Sequence, residues 1–167
     1  MEAASLRTDE EIKEIYAAYA ATVYRISFLM LKNRAEAEDA TQNVFIKLMR
    51  CEKSFESDEH LKAWLIVTAK NTCKDFLKSW WRKRTTGLDG ADALCPPANP
   101  EENHVFSAVM SLHNKYRIPL YLYYYEGYST EEIAGLLAAN PSTLRSRLRT
   151  ARQKLKLLLE EDATDEE

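Results

Sequence analysis

Apolar residues recur at Ile12, Ile15, Tyr19, Val23, Ile26 and Met30, a spacing of three or four that gathers them on one helix face. Asn33 closes that run and opens a second, "NRAEAEDATQNVFIKLMR", whose expected buried stripe is Ala37, Ala40, Val44 and Leu48. The period then lapses over the polar stretch "CEKSFESDEH", a loop. Ser57 or Asp58 is the expected cap of a third helix, "EHLKAWLIVTAKNTCKDFLKSWWRKR". Its Leu61, Trp64, Leu65, Thr68, Thr72, Phe76 and Trp80 fall on one side.

Helical periodicity stops over residues 85–104, "TTGLDGADALCPPANPEENH", which hold two of the four glycines and three of the five prolines. This stretch is read as a flexible linker between helical modules at 1–84 and 105–160, with an acidic tail at 161–167. The second module begins with a helix near "ENHVFSAVMSLH". In the next, Pro119 is expected in the first turn and Gly127 at the end, where glycine accepts a left-handed cap. Ser129 and Glu132 form a capping box for a short helix through Leu137. Asn140 then caps a long helix with Pro141 at its first position. A short helix, a turn at "AAN" and a longer helix make a helix-turn-helix. The fold class is therefore all-α, two helical domains joined by a linker.

Scarce glycine and abundant Ala, Leu, Glu, Lys and Arg agree with that class. No run approaches the ~20 apolar residues of a membrane helix, so no membrane insertion is expected. The start, "MEAASLRTDEEIKEIY", is acidic and amphipathic, unlike a secretory signal. Cys51, Cys73 and Cys95 contain no CxxC pair and are read as reduced thiols of a cytoplasmic protein. His60, His104 and His113 have no metal-ligand spacing, and no phosphate-binding glycine loop, GxSxG elbow or HExxH helix occurs. The chain is expected to be no enzyme and to use no cofactor or metal.

Charge changes the picture more. The chain is acidic, at net −3, yet its last long helix carries Arg145, Arg147, Arg149, Arg152, Lys154 and Lys156 without an intervening acid. At 100° per residue, Leu144, Leu148, Ala151, Leu155 and Leu158 form an apolar floor. Arg145, Arg149, Arg152 and Lys156 line one flank, and Arg147 and Lys154 the other. Such a helix can set its N-terminal turns in a major groove and touch phosphates on both walls. A second basic group, Lys70, Lys74, Lys78, Arg82, Lys83 and Arg84, runs along the third helix. Asn71, Lys74, Lys78 and Arg82 share a stripe there, with Trp80 and Trp81 interleaved. Aromatics among cations suit unstacked bases.

These residues bring out a resemblance that covers nearly the whole chain outside the linker and tail. "RAEAEDATQNVFIKLMR", "SFESDEHLKAWLIVTAKNTCKDFLKSWWRKR" and "YYYEGYSTEEIAGLLAANPSTLRSRLRTARQKLK" resemble, in order, the motifs of bacterial RNA polymerase sigma factors of the two-domain extracytoplasmic-function type. The resemblance implies a sigma-two-like bundle over 1–84 and a sigma-four-like helix-turn-helix over 105–160. It implies a transcription initiation factor that binds core RNA polymerase, recognises the minus-ten and minus-thirty-five promoter elements and promotes duplex opening. Glu38, Asp39, Gln42 and Phe45 would meet the clamp helices of the polymerase's largest subunit, as a polar rim around an exposed aromatic. Lys53, Phe55, Asp58, Asn71, Lys74, Lys78, Trp81 and Arg82 would meet the minus-ten element, with a flipped base held by the loop. Ser142, Thr143, Arg145, Ser146, Arg149 and Arg152 would meet the minus-thirty-five element. Here the chain departs from the family pattern, with Ser142 for glycine, Leu144 for valine and Thr150 for arginine. A cognate anti-sigma factor is a further implied partner. The alternatives are a stand-alone helix-turn-helix regulator, which leaves the first module without a task, and a helical adaptor that binds protein alone.

Overall fold

The computed structural model describes residues 7–84 and 100–164, without the side chains of 80–84 and 100–103. Among the described residues all regular structure is helical. The helices fall into two units, three in the first and four in the second.

In the first unit, α1 (Asp9–Leu31), α2 (Arg34–Arg50) and α3 (Asp58–Arg84) pack pairwise. Thr8 caps α1: its hydroxyl accepts from the Glu11 N–H at 3.2 Å, while the Glu11 carboxylate accepts from the Thr8 N–H at 2.7 Å. Asn33 caps α2 as its sequence position suggests, accepting from the Glu36 N–H at 3.0 Å. Ser57, rather than Asp58, caps α3, accepting from the His60 N–H at 3.1 Å. The core is Val23 and Ile26 of α1, the whole predicted stripe of α2, and Leu61, Leu65, Ile66, Ala69 and Cys73 of α3. Burying each large aliphatic side chain contributes about 1.5–3 kcal/mol. On α3 the buried strip is broader than the predicted one, with Leu61, Leu65 and Thr72 inside as expected. Trp64 and Thr68 are only half-buried, while Ile66, Ala69 and Cys73 lie inside, because α3 is covered by both α1 and α2. Burial pushes the Cys73 thiol up to about 11, against the opposing Ser27 hydrogen bond and Lys47 charge, so it stays protonated at neutral pH.

In the second unit, α4 (Pro100–Ser111), α5 (Asn114–Tyr124) and α6 (Thr130–Leu136) each pack on α7 (Pro141–Thr164). Helix α4 begins inside the stretch expected to be linker, with Pro100 at a first helical position, where its missing N–H costs nothing. Residues 85–99, which carry the rest of that expectation and Cys95, lie outside the described residues, as do 165–167. Helix α7 continues through Thr164, into the segment expected to be tail. Pro119 is not in the first turn of α5, as its sequence neighbours suggested. His113 caps the helix earlier, accepting from the Lys115 N–H at 3.2 Å, and leaves Pro119 in the second turn. Gly127, at φ 76°, turns the chain so that the Tyr128 N–H reaches the Leu122 carbonyl at 3.0 Å.

Arg117 is buried to 3% exposure and carries the turn between α4 and α5. It donates to the carbonyls of Met110 at 2.9 Å and Leu112 at 2.8 Å, and also to Asn114. Burial pulls its guanidinium down to about 10, which leaves it charged at neutral pH. Its compensation comes from the carbonyl ends of α4.

The helix-turn-helix is capped at each junction. Ser129 and Glu132 form the predicted box at 3.2 and 3.1 Å, and Asn140 accepts from the Ser142 N–H at 2.9 Å. Helix α6 ends in a Schellman turn, with Ala139 N–H to Ala134 carbonyl at 2.9 Å and Ala138 N–H to Gly135 carbonyl at 3.3 Å. The left-handed position of that turn is Ala138, at φ 50°. A Cβ there costs ~1–2 kcal/mol, against ~0.5–1 kcal/mol of extra chain entropy that glycine loses on folding. Ala138→Gly is therefore expected to stabilise the second unit by about 0.5–1 kcal/mol, read as a higher denaturant midpoint at unchanged slope.

Candidate nucleic-acid interface

The first three turns of α7 carry five of the six residues expected to meet the minus-thirty-five element. Ser142, Thr143, Arg145, Ser146 and Arg149 are all exposed, while Leu144 and Leu148 beneath them are 0% and 1% exposed. The exposed set spans ~10 Å of helix axis, about the width of a major groove. Arg149 makes no ion pair among the described residues. Arg145 lies 3.9 Å from Glu131 of α6, both side chains being well solvated. A backbone hydrogen bond, then the Thr130 hydroxyl, then Arg145 hold the Glu131 carboxyl below the usual carboxylate range, so the pair is charged. An exposed pair of this kind is worth little and leaves Arg145 available for exchange to a phosphate or base.

Arg152 is placed differently from the other members of its flank. Its Nε donates to the Tyr124 hydroxyl at 2.6 Å, and its guanidinium lies over the rings of Tyr123 and Tyr124 at 5.2 and 5.5 Å. It thus ties α7 to α5, three helical turns beyond the start of the helix. Leu155 and Leu158 are half-buried, so the leucine floor shallows toward the C-terminal end.

On α3, Asn71, Lys74 and Lys78 are exposed along one stripe. Lys70, counted from sequence among the surface cations, is instead 8% exposed, and burial, with Lys74 adding, lowers its pKa. Trp81 and Arg82 sit on the same helix, with side chains outside the described residues, as is that of Trp80. Lys53 in the preceding loop and Asp58 at the start of α3 are exposed. Phe55 is not: it is half-buried, with its ring 5.4 Å from His60, 5.7 Å from Trp64 and 4.9 Å from the Arg7 guanidinium. Its ring anchors the loop. Sequence spacing offered no sign that Arg7 belongs to this neighbourhood, because 46 residues separate it from Lys53.

On α2, Glu38, Asp39 and Gln42 are exposed as expected, and Glu38 pairs with Arg34 at 3.2 Å. Phe45 departs from its expected role as an exposed aromatic. It is 5% exposed and packs edge-on to Tyr16 with centroids 4.8 Å apart. The apolar surface on this helix comes instead from Ile46 and Met49, 42% and 45% exposed. Asp39, Gln42, Ile46 and Met49 are spaced three, four and three apart and so share a face. That spacing was readable in the sequence; the eye goes to the aromatic instead. Phe45→Ala is expected to destabilise the first unit by about 3–5 kcal/mol, whereas Gln42→Ala shifts it by less than about 0.5 kcal/mol. Urea unfolding of each variant checks this.

Comparison with known proteins identifies the family. Residues 15–83 match the family model "Sigma-70 region 2", and residues 105–155 match "Sigma-70, region 4". The ECF RNA polymerase sigma factor SigM of Bacillus subtilis is 30% identical over 162 residues, covering 93% of this chain and 99% of that protein. RNA polymerase sigma factor CarQ of Myxococcus xanthus is 28% identical over 158 residues, covering 91% of each. Among solved structures, the sigma factor RpoE of Bartonella quintana, crystallised with the anti-sigma factor NepR, shares the fold at a TM-score of 0.78. It is 22% identical, over 90% of this chain and 98% of that one. CnrH, solved with the cytosolic domain of CnrY, follows at a TM-score of 0.69, 20% identical over 95% of this chain and 94% of that one.

Proposed function

The chain belongs to the ECF sigma factors of bacterial RNA polymerase, transcription initiation factors that recognise promoters, and from that premise we propose how its surfaces divide the work. The observation that carries the division is the exposure of unlike faces on three helices: acid, amide and apolar on α2, amide and cation on α3, hydroxyl and arginine on α7.

The face of Asp39, Gln42, Ile46 and Met49, flanked by Glu38, docks on the clamp helices of the polymerase's largest subunit. Two exposed aliphatic side chains inside a polar rim have the composition of a protein interface centre. Phe45 supports that face from beneath. Lys53, Asp58, Asn71, Lys74 and Lys78, continued by Trp81 and Arg82, take the minus-ten element. The carboxamide of Asn71 reads a base edge, while the lysines hold the backbone of the unpaired strand. Capturing unstacked bases offsets the cost of unpairing them, so opening requires no bond chemistry from this chain. Sigma factors are non-enzymatic regulators, and a subunit of polymerase acts in the cytoplasm.

Ser142, Thr143, Arg145, Ser146 and Arg149 enter the groove of the minus-thirty-five element. Arg152, held by Tyr123 and Tyr124, serves chiefly to fix α7 on α5. Thr150 is half-buried where the family pattern has arginine, so the groove contact rests on Arg145 and Arg149. An anti-sigma factor covers these faces when transcription is to be silent. Exposed Ile46 and Met49 in the first unit, and Tyr124 and Tyr125 (63% and 61%) in the second, offer it apolar anchors.

Run-off transcription with purified core polymerase and genomic fragments tests the assignment. Defined start sites that depend on this protein are expected; failure to bind core polymerase overturns it. A stand-alone regulator would bind duplex DNA without core. On a promoter so found, Asn71→Ala is expected to reduce permanganate-reactive open complexes while core affinity stays within about two-fold. Arg145→Ala is expected to weaken upstream-element binding by about 1–3 kcal/mol and to lower the slope of log affinity against log salt by about one.

A further inference from the structure

Helix α2 ends without a glycine. Its cap residue, Cys51, is extended at φ −79° and ψ 121°, so no Schellman turn folds back over the last carbonyls. Those carbonyls carry the negative end of the helix dipole and need donors. The Leu48 carbonyl receives the Cys51 N–H at 3.1 Å, and further donors come from the other end of the unit. Arg7 Nη1 donates to the Cys51 carbonyl at 2.8 Å and to the Leu48 carbonyl at 3.4 Å, and Nη2 donates to the Lys53 carbonyl. The same guanidinium covers the Phe55 ring at 4.9 Å. One side chain thus grips the end of α2, the backbone of the following loop and the loop's aromatic anchor.

The capping box of Thr8 and Glu11 fixes the turn by which the chain enters α1 immediately after Arg7. The planar fork of a guanidinium can serve two carbonyls in different directions at once, whereas an ammonium offers a compact point charge.

We propose that Arg7 is a positioning residue for promoter opening: it holds the loop of residues 51–57 in the backbone form that receives the unpaired minus-ten base. This rests on the reading that the loop and Asn71 meet that element. Arg7 acts through the loop. Lys53 gains its placement from a carbonyl that Arg7 fixes, and the loop's entropy is lost on folding rather than on binding the base.

The test uses holoenzyme, reconstituted from core polymerase and the full chain, on a promoter that run-off transcription has identified. Open complexes are measured by permanganate reactivity, on that promoter and on variants carrying each other base at the flipped position. Arg7→Ala is expected to reduce opening about 10- to 100-fold, the loss of a few charge-assisted hydrogen bonds, and to bring the discrimination between bases toward one. Core affinity is expected to stay within about two-fold, and Arg7→Lys, which keeps the charge and loses the fork, to fall between. Arg7→Lys also serves where the alanine variant folds poorly by circular dichroism. A purely structural role would lower opening on every base equally; unchanged discrimination, or core affinity falling in step with opening, overturns the proposal. The double variant Lys53→Ala, Asn71→Ala separates the two levels. If it leaves discrimination intact, the loop is not the reader, and both the reading and the role of Arg7 fall. If it abolishes discrimination while Arg7→Ala does not, the reading stands and only the role of Arg7 falls.

Discussion

A helix leaves four amide hydrogens and four carbonyls without partners at its ends, and in a chain with so little glycine the carbonyl ends are the harder to satisfy. The amide ends are met locally, by Thr8, Asn33, Ser57, His113, Ser129 and Asn140. The carbonyl ends are met in three ways. Gly127 takes the left-handed turn after α5; Lys32 and Ala138 take it at a cost, at φ 55° and 50°; and Arg7 and Arg117 serve the ends of α2 and α4 with guanidinium groups. Two of the segments that we propose meet promoter DNA lie beside such junctions: the loop of 51–57 follows the end held by Arg7, and the first turns of α7 follow the turn made by Ala138.

Electrostatics divides along the same lines. The chain is net acidic, and on the reading we propose that acidity restrains indiscriminate adhesion to DNA while exposed bases on α3 and α7 keep attractive local fields. Not every cation serves that purpose. Lys70 is drawn into the first bundle, Arg152 to a pair of tyrosines, Arg117 to backbone carbonyls and Arg7 to the loop. Asn71, Lys74, Lys78, Arg145 and Arg149 stay exposed, and it is these that we propose meet nucleic acid. Counting arginines and lysines along a helix overstates its binding face, because long side chains carry charge away from the position that the helical wheel assigns.

Much of the fold was legible because its signals are local. Periodicity marked the stripes of α1, α2 and α7, and the short polar residues marked where four helices start. The errors have physical causes. On α3 the buried strip is wider than a single stripe, since two helices cover it. Phe45 was expected outside because the family resemblance placed it on the polymerase-facing side, but Tyr16 offered it an edge-on partner. Pro119 suited a first turn, yet His113 capped the helix sooner. Phe55 was expected at the minus-ten element, but its three neighbours, Arg7, His60 and Trp64, make it an anchor of the loop.

Sequence by itself determined the helical class, the helix-turn-helix, the caps Asn33, Ser129 and Asn140, and the family, because these depend on contacts within a few positions or on motifs in fixed order. Tertiary structure alone decided which cations face solvent, which apolar residues of α2 stay outside, and that Arg7 reaches carbonyls 41 to 46 positions away. Such choices are made by packing between helices, where a side chain goes to whichever buried donor, acceptor or ring comes within reach, and no local spacing records that outcome.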